Sequence, residues 1–214
     1  MEKYKKLEND NKFETGDLLL YHHRNTCSSL FECFMTVFTN CIMCCTNSKY
    51  SHTAVIIKDP PWREDLKGYY IIESSYETFP ESEDHEKKLG VELVPLDKAI
   101  EESNCDIYWR HINCVRDEEF YQNLIEAHSV AHNRPYDLDP FDWIKAKFKL
   151  RIGNVRRKDT FYCSALASFI YVKLGLLRKS TDWTLVSPEM LGTEHKKDEL
   201  QFINCTIEPE VRIN

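Results

Sequence analysis

Tyr50-Ser51-His52-Thr53-Ala54-Val55-Ile56-Ile57-Lys58 and, much later in the chain, Phe161-Tyr162-Cys163-Ser164-Ala165-Leu166 are the stretches that decide the fold. The first puts a histidine at the head of a short apolar strand that stops at Asp59-Pro60-Pro61. The second puts a cysteine at the head of a helix, because the large apolar residues Leu166, Phe169, Ile170 and Leu174 recur at helical spacing. A thiol in a first helical turn meets unpaired amides and the positive end of the helix dipole, and both favour its thiolate. Ser164 and Ala165 are small enough for a carbonyl to approach the thiol, and the amide of Cys163 is placed to donate to a developing oxyanion. The plainer reading is a buried structural cysteine, a common fate for this residue.

Working outward from His52, Gly68-Tyr69-Tyr70-Ile71-Ile72-Glu73-Ser74-Ser75 reads as the return arm of a long hairpin. Glu73 is the only carboxylate in that arm. It is therefore expected beside His52, accepting one ring proton and fixing the imidazole tautomer. The sequence reading predicts that Cys163, His52 and Glu73 converge.

The order of a Ser-His strand, a Glu-bearing strand and a Tyr-Cys-Ser helix start resembles the circularly permuted NlpC/P60 papain-like hydrolases of the YiiX/YaeF type, a group with poxviral and other viral members. The resemblance begins at Phe13-Glu14-Thr15-Gly16-Asp17-Leu18-Leu19-Leu20 and runs to about Gly175. It implies an α+β fold, an antiparallel sheet packed against helices, with the histidine strand ahead of the cysteine helix. It also implies that Cys163 is the nucleophile, His52 the base and Glu73 the orienting residue. The long segment between Asp17 and His52 departs from a compact version of the pattern.

Composition fits one domain over residues 1–214: the chain can bury a sizeable core, and no Gly/Ser/Pro-rich linker divides it. A formal charge of -7 argues against a general nucleic-acid-binding surface, although Arg151, Arg156, Arg157 and Lys158 form a local basic patch. Nine cysteines, an odd number without an N-terminal signal segment, favour the cytoplasm or another reducing compartment, with a virion or membrane-associated pool as a further location. No apolar run has the length of an ordinary transmembrane helix.

Residues 27–46 read as a Cys-rich apolar insertion, a helix or broken helix near the cleft, and a candidate for peripheral membrane contact. Phe34, Val37, Phe38 and Met43 within it, together with Tyr162, are candidate substrate-binding residues. Further strands are expected at residues 17–22, 91–94 and 105–114, a turn or short helix at 95–102, and a helix over 117–131 with Phe120, Leu124, Ala127 and Ala131 on one side. A short helix over 141–148 and an edge strand at 200–203 complete the outline.

The chemistry expected on this basis is cysteine-dependent hydrolysis or transfer of an acyl group from an amide, peptide or thioester, with no cofactor and no metal. Peptides, amino-acid amides and lipid-acyl groups are the substrate classes implied. An inactive papain-like interaction module or lipid-binding protein is the nonenzymatic alternative. A rival metal reading gathers His22, His23, Cys27, Cys33, Cys41, Cys44 and Cys45, but they lack the paired spacing of a zinc finger or ribbon.

Overall fold

The runs Leu18-Leu19-Leu20-Tyr21 and Ala54-Val55-Ile56-Ile57 are apolar at every position because both faces of the sheet they build are covered. In the computed structural model, which describes residues 2–10, 12–24, 48–76, 80–87, 89–136, 158–193 and 200–214, side chains alternate between two clusters with the strand period of two. Leu18, Leu20, Val55 and Ile57 enter one core, and Leu19, Tyr21, Ala54 and Ile56 enter the other. The expected insertion at 27–46, the 141–148 helix and the basic patch except Lys158 lie outside the described residues.

The elements are α1 (Glu2–Asn9), β1 (Leu18–His23), β2 (His52–Lys58), β3 (Tyr69–Tyr76), β4 (Leu89–Pro95), α2 (Leu96–Glu101), β5 (Cys105–Arg110), β6 (Ile112–Cys114), α3 (Glu118–Ala131) and α4 (Cys163–Lys173). Two 3-10 turns, Trp183–Leu185 and Pro188–Leu191, lead to β7 (Cys205–Ile207) and β8 (Val211–Arg212). An antiparallel six-stranded sheet runs β4-β3-β2-β1-β5-β8, and β6 pairs with β7 in a small second sheet. The fold is α+β, an antiparallel sheet with helices packed on it.

One face carries the larger core, where Phe120, Leu124, Ala127 and Ala131 of α3 meet Leu166, Phe169 and Ile170 of α4. The opposite face is closed by Tyr4 of α1, by Phe13, by Leu96 and Ile100 of α2, and by Ile213 near the C-terminus. Helix α1 is thus anchored through the buried Tyr4, with Leu7 packed against the same cluster. Helix α3 starts where Asp117 accepts a hydrogen bond from the Phe120 amide at 2.9 Å, an N-cap that satisfies an otherwise unpaired donor. Nine successive residues of α4, from Cys163 to Tyr171, are buried; a helix covered all round belongs in a core.

Residues 105–114, expected as one strand, break at His111. Asp17, fully buried, causes the break: it accepts from Trp109 Nε1 (2.8 Å) and the Ile112 amide (3.0 Å) and meets His111 Nδ1 (3.0 Å). Arg110 is drawn away to the carbonyls of Glu208 and Leu191. The chain therefore leaves the main sheet, and β6 pairs with β7 instead. The edge strand expected at 200–203 is reduced to a bridge between Phe202 and Leu177, and the strand forms two residues later. No helix among the described residues is long and apolar enough to cross a membrane.

Candidate functional site

Two clusters of titratable side chains stand out, and they are assembled in different ways. The first joins element starts. His52 opens β2 and Cys163 opens α4. Glu73 lies on β3, where the register Val55↔Ile72 sets it diagonally from His52 on the same face of the sheet. His52 Nε2 and Glu73 Oε2 are 2.5 Å apart, and the ring of Tyr21 meets the imidazole edge-on at 5.1 Å. The Cys163 thiol is buried beside His52, close enough for the two groups to act on each other electrostatically. Three further bonds fix this geometry: Ser74 Oγ donates to the Phe161 carbonyl (2.6 Å), Ser164 Oγ to that of Val186 (2.7 Å) and Tyr162 Oη to that of Thr184 (2.5 Å).

Burial pushes the His52 imidazole down, but the Glu73 carboxylate and the Cys163 sulfur push it up further, and it ends well above its ordinary value. Burial pushes the Cys163 thiol up, while the positive charge of His52 brings it below its ordinary value. Both shifts run toward an ion pair, and 22% of the His52 side chain is still open to solvent. Tyr21 Oη and Thr53 Oγ1 are buried here without a hydrogen-bond partner.

The second cluster joins a loop to the end of a helix. His128 is in the last turn of α3 and His132 caps it, so the spacing of four places both rings on one side. Glu83 comes from the 80–87 loop, which is held by Glu81 Oε2 accepting from the amides of Glu83 (3.3 Å) and Asp84 (3.2 Å). Arg63 Nη1 donates to the Glu83 carbonyl at 2.9 Å. Glu83 Oε2 stands 2.9 Å from His128 Nε2 and 3.2 Å from His132 Nδ1. Trp62 stacks on the His128 ring at 3.9 Å and 12°, closing one side of the cluster. Burial raises the Glu83 carboxyl, but the hydrogen bond to His128 and the charges of His128 and His132 hold it below its ordinary value.

One ligand atom from each of Glu83, His128 and His132 lies within 4.8 Å of the others, the only such group of three or more among the described residues. Tetrahedral zinc with bonds of 2.0–2.1 Å needs ligand atoms about 3.3 Å apart, so small side-chain rotations suffice. Sequence reasoning missed this cluster. Its signal was His128-Ser129-Val130-Ala131-His132 at a helix end, while attention went to His22, His23 and the cysteines at 27–45. His22 Nδ1 instead lies 2.6 Å from the Lys49 carbonyl and His23 Nδ1 lies 3.9 Å from Cys105 Sγ, and those cysteines lie outside the described residues. Of the expected substrate contacts, Phe34, Val37, Phe38 and Met43 also lie outside them.

No family model matches the chain, and no curated protein matches it. Among solved structures the chain is similar to the crystal structure of metalloprotein YiiX from Escherichia coli O157:H7, a DUF1105 protein, at 21% identity and a TM-score of 0.45. The match covers 75% of this chain and 66% of the YiiX chain, just under two thirds of its length. YiiX is the type whose resemblance the sequence motifs carry.

The expected function changes at this point. The expectation of a cysteine-dependent hydrolase or acyltransferase working without a metal, and the thiol-protease class that went with it, is corrected by the Glu83–His128–His132 cluster, three side chains that could hold a metal ion.

Proposed function

We propose that this chain is a metal-binding protein whose centre is Glu83, His128 and His132. The observation that carries the proposal is the convergence of their three ligand atoms within 4.8 Å from two separate elements. Two imidazoles and a carboxylate form a borderline donor set that suits zinc and neighbouring divalent transition metals better than calcium or magnesium. Three protein ligands leave one position of a tetrahedral metal open for water or a ligand. A metal held this way supplies Lewis acidity and lowers the pKa of bound water. The chain's own part is to fix the donors: α3 sets the spacing of the two rings, Trp62 holds the His128 ring plane, and Arg63 and Glu81 hold the loop that carries Glu83.

The test is to strip the purified protein with chelator, titrate zinc by calorimetry and repeat with H128A and E83Q. The expected result is about one equivalent bound by wild type and affinity lost in both variants. Substoichiometric zinc, unchanged by either substitution, overturns the reading.

The finer architecture belongs to the same proposal: a permuted papain-like arrangement, supported by a histidine-headed strand that precedes a cysteine-headed helix. Cys163, His52 and Glu73 form a second polar site in it, a charge-paired thiol, supported by the His52–Glu73 contact of 2.5 Å. Peripheral membrane contact through residues 27–46 is a further part, and flotation with lipid vesicles tests it.

A further inference from the structure

Cys114 and Cys205 face each other directly across the small β6–β7 sheet, and neither takes part in the clusters above. The Glu208 amide donates to the His111 carbonyl at 2.9 Å, which marks His111 and Glu208 as a hydrogen-bonded pair. Antiparallel pairs alternate, so Ile112–Ile207 is a non-hydrogen-bonded pair, Asn113–Thr206 a hydrogen-bonded one and Cys114–Cys205 again non-hydrogen-bonded. In such a pair the Cα atoms approach to about 4.5 Å and the side chains stand on one face, at the short end of the 4.4–6.8 Å range that a disulfide spans. Both thiols are half-buried at the edge of the larger core, so a small solute reaches them.

We propose that Cys114 and Cys205 are the site of a reversible disulfide, formed by exchange with a small-molecule disulfide such as oxidised glutathione. Burial raises both thiols, Cys205 to about 11, while the Arg116 guanidinium draws Cys114 back down; Cys114 is the first to attack. Its thiolate displaces one glutathione thiolate and becomes a mixed disulfide. Cys205 then loses its proton to solvent and attacks the Cys114 sulfur, releasing the second glutathione. Two protein thiols are oxidised by two electrons, and one glutathione disulfide is reduced to two thiols.

The bond would staple a three-residue ladder that is marginal alone. It would also fix the segment that carries Glu210, which accepts from Tyr50 Oη at 2.6 Å two residues from His52. A bond between two half-buried cysteines is open to reducing thiols, the property of a regulatory rather than a permanent disulfide.

The experiment equilibrates the full chain in a series of glutathione buffers, quenches with acid and maps cysteine peptides without reduction. The expected result is a linked Cys114–Cys205 peptide pair, lighter by two hydrogen atoms than the free thiols, which disappears on adding dithiothreitol. C205S should instead carry a glutathione adduct on Cys114, and C114S should give no link. Two free thiols in excess oxidised glutathione, with the far-ultraviolet circular dichroism of the folded chain, overturn the proposal. So do stable adducts at both positions without a link, or a link from either cysteine to another one.

Discussion

The Cys163–His52–Glu73 cluster and the Glu83–His128–His132 cluster each hold an imidazole against a carboxylate, yet the fold builds them by opposite means. In the first, each residue sits on a regular element, two of them at its first position, and strand register sets the distance between His52 and Glu73. In the second, a helix end supplies two rings and an irregular loop supplies the carboxylate. Regular elements announce their residues in sequence, whereas a loop announces only that it is polar. The comparison teaches that ease of reading and functional weight are separate properties of a site.

The sharpest break between the two comes from removing a residue of the proposed metal centre. H128A or E83Q is expected to weaken zinc binding by more than about a hundredfold, roughly 2.7 kcal/mol, while leaving Cys163 alkylation unchanged. Calorimetry and iodoacetamide labelling on the same samples check both halves, and a parallel loss of the two would mean the clusters are one site. Next in size is Ser74→Ala, which removes the buried donor to the Phe161 carbonyl ahead of Cys163. It should cost about 1–3 kcal/mol in urea unfolding and leave zinc affinity intact.

The pH dependence of the thiol pair separates the clusters again. His52 is raised on folding, so its contribution to stability is complete below the pKa of an unfolded histidine and fades as pH climbs through the folded value. Cys163 is depressed, so its contribution is present above the pKa of an unfolded cysteine and fades as pH falls through the folded value. Alkylation of Cys163 in H52A should therefore begin at higher pH than in wild type; coincident profiles would break the ion pair. The smallest effect is expected from Asp117→Ala, which loses the N-cap of α3 at the end remote from His132. About 1 kcal/mol of stability should go, with zinc affinity within about twofold of wild type.

Much of the fold was legible because its strands and helices follow the periods that burial imposes. The expected face of α3, with Phe120, Leu124, Ala127 and Ala131, is the buried one, and the hairpin of β2 and β3 sets Glu73 beside His52 as its register requires. The break at His111 was not legible. It depends on Asp17, distant in sequence, outcompeting the strand ladder for the Ile112 amide. Glu83 was hidden for a related reason. Nothing local in a charged loop distinguishes it from Glu81 or Asp84 until α3 brings His128 to its oxygen. The spacing of His128 and His132 was visible, but two rings become a ligand set only when a third donor arrives from elsewhere in the chain.

Trp62 gives the second cluster an optical handle. Its indole lies flat on the His128 ring, and its buried Nε1 lacks any hydrogen-bond partner, so that imidazole is the polar group in closest contact with the ring. A stacked imidazolium or metal-bound imidazole quenches an indole more strongly than the neutral ring does. The chain has four tryptophans, and a variant retaining only Trp62 would turn this packing contact into a spectroscopic record of when the His128 ring is occupied.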